Sequence, residues 1–195
     1  MPAIRLVTVS GPRGAGKETI VTALCSELKL HRIAPHTTRS PRPSEQHGRE
    51  YFFVPLQDFE AMLRAGEFVY HAKIGETQRS GTHRGQFLVS ESGSVIDITP
   101  SGARTLRDIV RQQLNGLALT IGVFADAEER RKRIRARDPT IDEAEVMRLM
   151  STDPVSPHLH DYADFDLVID NSAPTPLIAQ QRALSAARDF LHCSV

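Results

Sequence analysis

The sequence predicts an α/β fold, a three-layer core in which helices cover a mainly parallel sheet. Apolar runs alternate with helical patterns along most of the 195 residues, which is typical of parallel strands joined by helices. The first run, Ile4–Val9, is rich in β-branched residues and indicates a buried strand. The glycine-rich segment 11–19 follows it and overlaps a helical pattern over Lys17–Leu28, which is the context of a P-loop.

The remaining elements follow from the same periodicities. Apolar runs predict further strands at Phe52–Val54, Phe68–Ala72, Val95–Ile98, Leu119–Ala125 and Leu167–Ile169. Helical patterns cover Leu56–Ala65, Gly85–Glu91, Ala103–Gln113, Ala127–Arg137, Asp142–Met150 and Pro176–Leu191.

We expect one domain over residues 1–195, because the length suits a single ordinary core. Its core would comprise residues 1–31, 92–125 and 154–195. Two segments read as insertions: residues 32–91, rich in turns and arginines, and residues 126–153, a pair of charged helices. In phosphoryl-transfer enzymes such insertions close over the substrate and exclude water, so the architecture suits a small kinase.

Composition excludes several other classes of protein. The chain has 24 basic and 24 acidic residues, so no net field attracts it to nucleic acid or to a membrane surface. Cys25 and Cys193 show no metal-ligand or redox spacing. No apolar run approaches the roughly 20 residues of a membrane span, and Met1 lies too close to the first strand for a signal peptide. We expect a cytoplasmic monomer or homodimer that binds small molecules.

The P-loop pattern predicts a phosphate site. Glycines let backbone N–H groups turn toward a phosphate chain, and the N-terminus of the following helix adds partial positive charge. Lys17 is expected to reach the β- and γ-phosphates. The residues expected to bind ATP are therefore Gly11, Pro12, Arg13, Gly14, Ala15, Gly16, Lys17, Glu18 and Thr19.

Glu18 departs from the pattern, which places a Ser or Thr hydroxyl directly after the lysine to bind magnesium. Two like charges about 4 Å apart cost roughly 4 kcal/mol at an effective dielectric constant near 20. A carboxylate beside a triphosphate must therefore bind Mg²⁺, pair with a cation, or point away. Our hypothesis is that Glu18 takes the magnesium position, because carboxylate oxygens are natural ligands for that ion.

An arginine-rich run over residues 130–137 is the second strong signal. On a helix Arg130, Arg133 and Arg137 share one face, and Arg148 follows on the next predicted helix. Guanidinium groups stabilise the charge that spreads over a phosphoryl group during transfer. A solvated basic face is the alternative, and a nucleic-acid patch is less favoured because no aromatic residues interleave.

With these motifs the chain resembles the guanylate kinases, in collinear order over roughly residues 4–172. Beyond the P-loop, the resemblance rests on the segments His36–Pro43 (HTTRSPRP) and Gly48–Val54 (GREYFFV). Shorter matches at Asp58-Phe59, Gly66-Glu67-Phe68, Gly81-Thr82 and Ser101-Gly102-Ala103 continue it, together with the set Arg133, Arg137 and Arg148.

The resemblance implies a core that carries a mixed nucleoside-monophosphate-binding insertion and a helical lid. It implies transfer of the γ-phosphoryl group of ATP, with Mg²⁺, to a phosphate acceptor such as GMP. Lys17, Arg133, Arg137 and Arg148 match catalytic positions. The acceptor would be bound by Arg39, Arg42, Tyr51, Tyr70, Thr82 and Asp97.

Departures from the family pattern cluster where guanine is read. Pro35 and Tyr70 replace a serine and a glutamate, Ser80 replaces a tyrosine, and Thr99 replaces the second aspartate of the family's Asp-Ile-Asp. Guanine offers N1–H and N2–H donors to a carboxylate, and a buried unpaired donor costs about 1–3 kcal/mol. Compensation by Glu76 or Asp97 stays open at this point.

Three functions therefore compete. GMP phosphorylation is the leading one. A kinase of another phosphorylated small molecule is the second, because ribose 1,5-bisphosphate phosphokinases resemble this scaffold, carry an acidic residue after the P-loop lysine and do not read guanine. The third is a non-catalytic phosphopeptide-binding module, which the retained Lys17 and lid arginines disfavour.

Overall fold

A computed structural model describes residues 4–41, 45–74, 76–88, 90, 92–153, 155, 158–172 and 176–193. Its strands are β1 (Ile4–Ser10), β2 (His31–Arg32), β3 (His36–Thr37), β4 (Phe52–Phe53), β5 (Phe68–Ile74), β6 (Gln78–His83), β7 (Ser94–Asp97), β8 (Gly116–Phe124) and β9 (Leu167–Asp170). Its α-helices are α1 (Lys17–Leu28), α2 (Leu56–Arg64), α3 (Pro100–Gln113), α4 (Ala127–Arg137), α5 (Glu143–Ser151) and α6 (Pro176–His192).

The core is a parallel sheet of five strands in the order β2-β7-β1-β8-β9. Side chains alternate between its faces, so Val7 packs against α1 and α6 while Leu6 packs against α3. The predicted three-layer core is therefore confirmed. The segment after β1 leaves the carboxyl edge of the sheet between β7 and β8, which is where open α/β sheets bind ligands.

A second, mixed sheet is formed by the strands between residues 36 and 83, in the order β4-β3-β6-β5. β3 pairs with β4 in parallel and with β6 antiparallel, and β5 and β6 form a hairpin. Helix α2 covers it through Phe59, which is 1% exposed and stacks on Phe68 with ring centroids 4.6 Å apart. The predicted mixed insertion is confirmed.

The structure corrects the predicted elements in two places. β2, β3 and β6 were not predicted, since two of them have two residues each and β6 is a polar run without apolar alternation. A helix over Gly85–Glu91 was wrong: the chain forms a 3₁₀ helix at Arg84–Leu88, and Glu91 lies outside the described residues. α1 begins and ends where predicted.

Across the described residues, none of the helices is both long enough and apolar enough to span a bilayer.

A buried ion pair connects helix α4 to the segment after β1. Arg130 Nε donates to the carbonyl oxygen of Arg13 at 2.8 Å, and its Nη2 lies 3.5 Å from Asp153 Oδ2. The same Asp153 oxygen accepts a hydrogen bond from the backbone N–H of Arg13. Only 4% of the Arg130 side chain and 7% of the Asp153 side chain are exposed. Each residue therefore serves as the counter-ion that offsets the cost of burying the other's charge.

We expect Asp153→Ala to lower the free energy of unfolding by about 3–5 kcal/mol, because it leaves the Arg130 guanidinium buried without a counter-ion. Urea unfolding followed by circular dichroism measures this. The control is Glu128→Ala, which breaks an exposed ion pair with Lys132 on the same helix and should change the free energy of unfolding little. Equal, small losses in both variants would contradict the prediction.

His36 makes the second sheet sensitive to acid. Its ring stacks on Phe52 at 4.9 Å, and among the described residues its buried Nδ1 has no hydrogen-bond partner. Burial, together with the nearby imidazoles of His83 and His47, lowers the pKa of His36 to about 4. Folding therefore favours the neutral ring. The contribution of His36 to the free energy of unfolding is complete above pH 6.5 and is lost as the pH falls toward 4.

Between pH 7.5 and pH 5 we expect His36 to account for a loss of about 1 kcal/mol of stability, after reduction for its partial exposure. His36→Leu should flatten the pH dependence of the unfolding free energy by that amount. His71→Gln, at an exposed position of β5, should leave it unchanged. The prediction fails if both variants retain the wild-type pH profile.

Candidate functional site

The loop between β1 and α1 has the shape of a phosphate cradle. Gly14 and Gly16 have φ angles of 81° and 95°, a backbone region that side chains disfavour. A Cβ on Gly16 would lie 2.4 Å from Asn171 Nδ2. Gly16 is also the N-cap of α1, and no side chain in the described part of the chain caps the helix there. The first-turn N–H groups can therefore serve an anion.

Lys17 folds back over this loop. Its Nζ donates to the carbonyl oxygens of Gly11 at 2.8 Å and Pro12 at 3.2 Å. Strand β7 runs beside β1 in a register that pairs Val9 with Asp97, so Asp97 ends at the same edge of the sheet. The ammonium group thus lies at the junction of the loop and the neighbouring strand, where phosphates would enter.

Two side chains from elsewhere hold the loop's carbonyl groups. Asn171, which follows β9 and is 4% exposed, donates from Nδ2 to the carbonyl oxygen of Ala15 at 2.8 Å. Arg133 donates to the same oxygen at 3.2 Å and to the carbonyl oxygen of Asn171 at 2.8 Å. The structure therefore brings Arg133 to the P-loop. Sequence reasoning missed Asn171, for which the only signal was its place after a parallel strand.

The other two arginines predicted to be catalytic, Arg137 and Arg148, differ in their position relative to the P-loop. Arg137, at the end of α4, is close enough to lower the pKa of Glu18 through its charge. Arg148 lies on α5 with 59% of its side chain exposed and forms an ion pair with Glu145 of the same helix. Arg137 is therefore near the loop, whereas the structure holds Arg148 on its own helix; a catalytic role for Arg148 stays a prediction.

Glu18 is engaged by a cation that the sequence did not single out. Arg32 donates from Nη1 and Nη2 to the two carboxylate oxygens of Glu18, at 2.6 and 2.8 Å. These hydrogen bonds hold the pKa of Glu18 below its ordinary value, against the opposing effect of partial burial. Burial raises the pKa of Asp97 nearby, and the charges of Lys17 and Arg32 oppose that rise. Two carboxylates and two cations therefore share the entrance to the loop.

The donor set fits the Mg²⁺ that the resemblance implies. The described residues contain no group of three or more His, Cys, Asp or Glu side chains that could hold a metal alone. Mg²⁺ does not need one, since it is usually bound by one or two carboxylates together with substrate phosphates. Glu18 and Asp97 are two carboxylates at this edge, and a carboxylate in a bidentate pair keeps further lone pairs.

A second cationic site lies between β3 and β4 of the mixed sheet in chain order. Arg39 forms a bidentate pair with Glu45, with N–O distances of 2.6 and 2.7 Å. Its guanidinium lies 4.8 Å from the centroid of the Tyr51 ring and 5.6 Å from that of Phe53. Arg39 and Tyr51 are therefore together, as predicted for an anion clamp. Arg42, the third member, lies outside the described residues.

The positions expected to read the base are occupied differently. Tyr70 pairs in register with Thr82, which is 1% exposed, and the Tyr70 ring packs against the core cluster of α3. Partial burial raises the pKa of Tyr70, and a hydrogen bond with Thr99 opposes that rise. Tyr70 and Thr99, which both depart from the family pattern, are thus hydrogen-bonded to each other. Glu76 is exposed on the turn between β5 and β6.

Known proteins share this sequence and fold. The family model described as guanylate kinase matches residues 3–179. Guanylate kinases from Alkalilimnicola ehrlichii and Ruegeria pomeroyi are 32% and 34% identical to this chain, over 93% and 85% of its length and 88% and 78% of theirs. The crystal structure of guanylate kinase from Anaplasma phagocytophilum has the same fold, with a TM-score of 0.65 at 20% identity, covering 98% of this chain and 87% of that one.

The chain therefore has the glycine loop after β1 with Lys17 folded over it, and the guanylate kinase model matches its residues 3–179. The chain belongs to the guanylate kinase family and is a phosphotransferase that uses ATP as its phosphoryl donor with Mg²⁺.

Proposed function

We propose that this protein transfers the γ-phosphoryl group of ATP to the phosphate of GMP, giving ADP and GDP. The observation that carries the proposal is that Arg39 and Tyr51 lie together, 4.8 Å from guanidinium to ring centroid, in a chain that also has the donor loop. The charge of Arg49 acts on Glu18 and that of Glu50 on Arg32, so the turn that leads into Tyr51 lies near the entrance to the P-loop. Relatives of this chain at 31–34% identity are named guanylate kinases.

Each group has a role in this proposal. Residues 11–19 hold the donor phosphates, and Lys17 turns from its carbonyl partners to the β- and γ-phosphates. Arg133 and Arg137 stabilise the charge that develops on the moving group. Arg39, Arg42 and Tyr51 hold the acceptor's phosphate in line. Glu18 and Asp97 would hold the Mg²⁺, which would neutralise part of the phosphate charge.

Arg39 would change partner during the reaction. In the free protein Glu45 saturates its fork, so the guanidinium is already placed and oriented before an acceptor arrives. Two oxygens of a dianionic phosphate can accept hydrogen bonds from this planar fork in a bidentate manner. Exchange of Glu45 for the phosphate would then need little movement of Arg39, which keeps its stacking on Tyr51.

A kinase of a different phosphorylated small molecule, such as ribose 1,5-bisphosphate, is the second candidate. The Tyr70–Thr99 hydrogen bond favours it, because those positions carry carboxylates in the guanine-reading pattern. A tyrosine and a threonine that satisfy each other offer guanine no carboxylate for N1–H and N2–H. Recognition of the phosphate alone would suit an acceptor without a base.

An acceptor screen separates the two candidates. We expect GMP to give the highest kcat/KM among GMP, dGMP, AMP, UMP and ribose 1,5-bisphosphate, measured as ADP release with Mg·ATP. Lys17→Ala is the inactive control for contaminating kinases, because it removes the cation at the transferred phosphate. Higher turnover with ribose 1,5-bisphosphate than with any nucleotide would replace the first candidate with the second.

Arg39→Ala should raise the KM for the acceptor about 10- to 150-fold, the equivalent of a charged hydrogen bond worth about 1.5–3 kcal/mol. The KM for ATP should change little, because Arg39 follows β3 and its guanidinium donates to Ser40 and Glu45 rather than to the donor loop. Steady-state kinetics with each substrate varied in turn measures both values. The matched control is Arg64→Ala at the exposed end of α2, which should alter neither. A rise confined to the KM for ATP would contradict the placement of the clamp.

A further inference from the structure

The Glu18–Arg32 pair occupies the P-loop position that normally holds a hydroxyl. Glu18 lies in the first turn of α1, directly after Lys17, and both its oxygens are bound by the fork of Arg32. The Arg32 side chain is 20% exposed and that of Glu18 is 52% exposed, so the pair is open to solvent at the start of α1.

The core sheet fixes the position of Arg32. It lies in β2, which pairs with β7 so that Arg32 is in register with Val95. The next residue, Ile33, is 1% exposed and donates its backbone N–H to the carbonyl oxygen of Val95 at 2.9 Å. The backbone that carries the guanidinium is thus fixed on both sides, and a fork held this way loses little entropy on pairing.

Charge explains why such a partner is needed. A hydroxyl after the P-loop lysine is neutral, whereas a carboxylate at the same place repels the phosphates of a nucleotide. Arg32 is the cation bound to both oxygens of that carboxylate. Pairing restores the neutral charge of the usual hydroxyl while keeping oxygen atoms at the mouth of the loop.

We propose that Arg32 is a positioning residue of the ATP site: it holds Glu18 as one half of a neutral pair that replaces the P-loop hydroxyl. Arg32 acts through Glu18. Its contribution to ATP binding therefore exists only while Glu18 is present. The proposal does not depend on which acceptor the enzyme uses, so its test involves ATP alone.

The test is a double-mutant cycle on ATP affinity, measured by isothermal titration calorimetry with ATP in EDTA and again with Mg²⁺. Arg32→Met should weaken ATP binding in EDTA about tenfold or more, because it exposes an unpaired carboxylate to the phosphates. Glu18→Ser alone should not weaken it. The double variant Glu18→Ser/Arg32→Met should bind ATP within about threefold of the wild type, since both charges are gone.

Arg32→Lys should fall between Arg32→Met and the wild type, because it keeps the charge and loses the fork. Arg188→Met is the matched control: it breaks an ion pair to Glu27, at the other end of α1, and should leave ATP affinity unchanged. Thermal unfolding of each variant checks the fold.

Two results would overturn the proposal. If Arg32→Met binds ATP as tightly as the wild type in EDTA, the pair has no role at the ATP site. If the double variant binds as weakly as Arg32→Met, Arg32 contributes on its own, by touching ATP or by supporting the fold. Either result leaves the identity of the acceptor untouched, because no acceptor is present in the titration.

Discussion

The carbonyl groups of the P-loop are bound from outside, and the rest of the site depends on this. Arg130 binds the carbonyl oxygen of Arg13, while Arg133 and Asn171 bind that of Ala15. In a trans peptide the N–H points opposite to the C=O, and the described residues contain no cis bond. The N–H groups of the two glycines that follow therefore face away from these side chains, into the cradle. An anion site is thus built before any anion arrives.

The arginines of helix α4 show that one sequence pattern can serve two purposes. Arg130 is almost fully buried against Asp153, Arg133 is 21% exposed and spans to Asn171, and Arg137 is exposed near Glu18. Along this shared face the arginines change from a buried support of the loop at Arg130 to an exposed side chain at Arg137. Periodicity placed all three on one face, but it could not predict which guanidinium groups would bind to other groups of the protein. That division depends on Asp153 and Asn171, which are distant in sequence.

Sequence predicted what local chemistry determines and missed what distant contacts determine. The P-loop, β1 and α1 follow from glycines, β-branched residues and helical period, and the structure has them where expected. β2 and β3 have two residues each and exist because neighbouring strands pair with them, so no periodicity marks them. Arg32 was missed for the same reason: it lies in β2, 14 residues from its partner Glu18. Of the three possibilities left for Glu18, pairing with a cation is the one that the structure contains.

The proposed acceptor pocket combines the Arg39–Tyr51 pair with base-reading positions that depart from the family pattern, and burial explains how Tyr70 and Thr99 occupy those positions. A buried carboxylate at position 70 would need a partner, because an unpaired buried charge is costly. Tyr70 instead packs its ring against the α3 cluster and hydrogen-bonds to Thr99, which also caps α3 by accepting from Gly102. The substituted pair is therefore stable without a ligand. The N1–H and N2–H donors of guanine would then need another acceptor, such as the carboxylate of Asp97. The charges of Lys17 and Arg32 already act on that carboxylate. Because Tyr70 and Thr99 hydrogen-bond to each other, the proposed preference for GMP would have to come from Asp97 together with phosphate binding by Arg39.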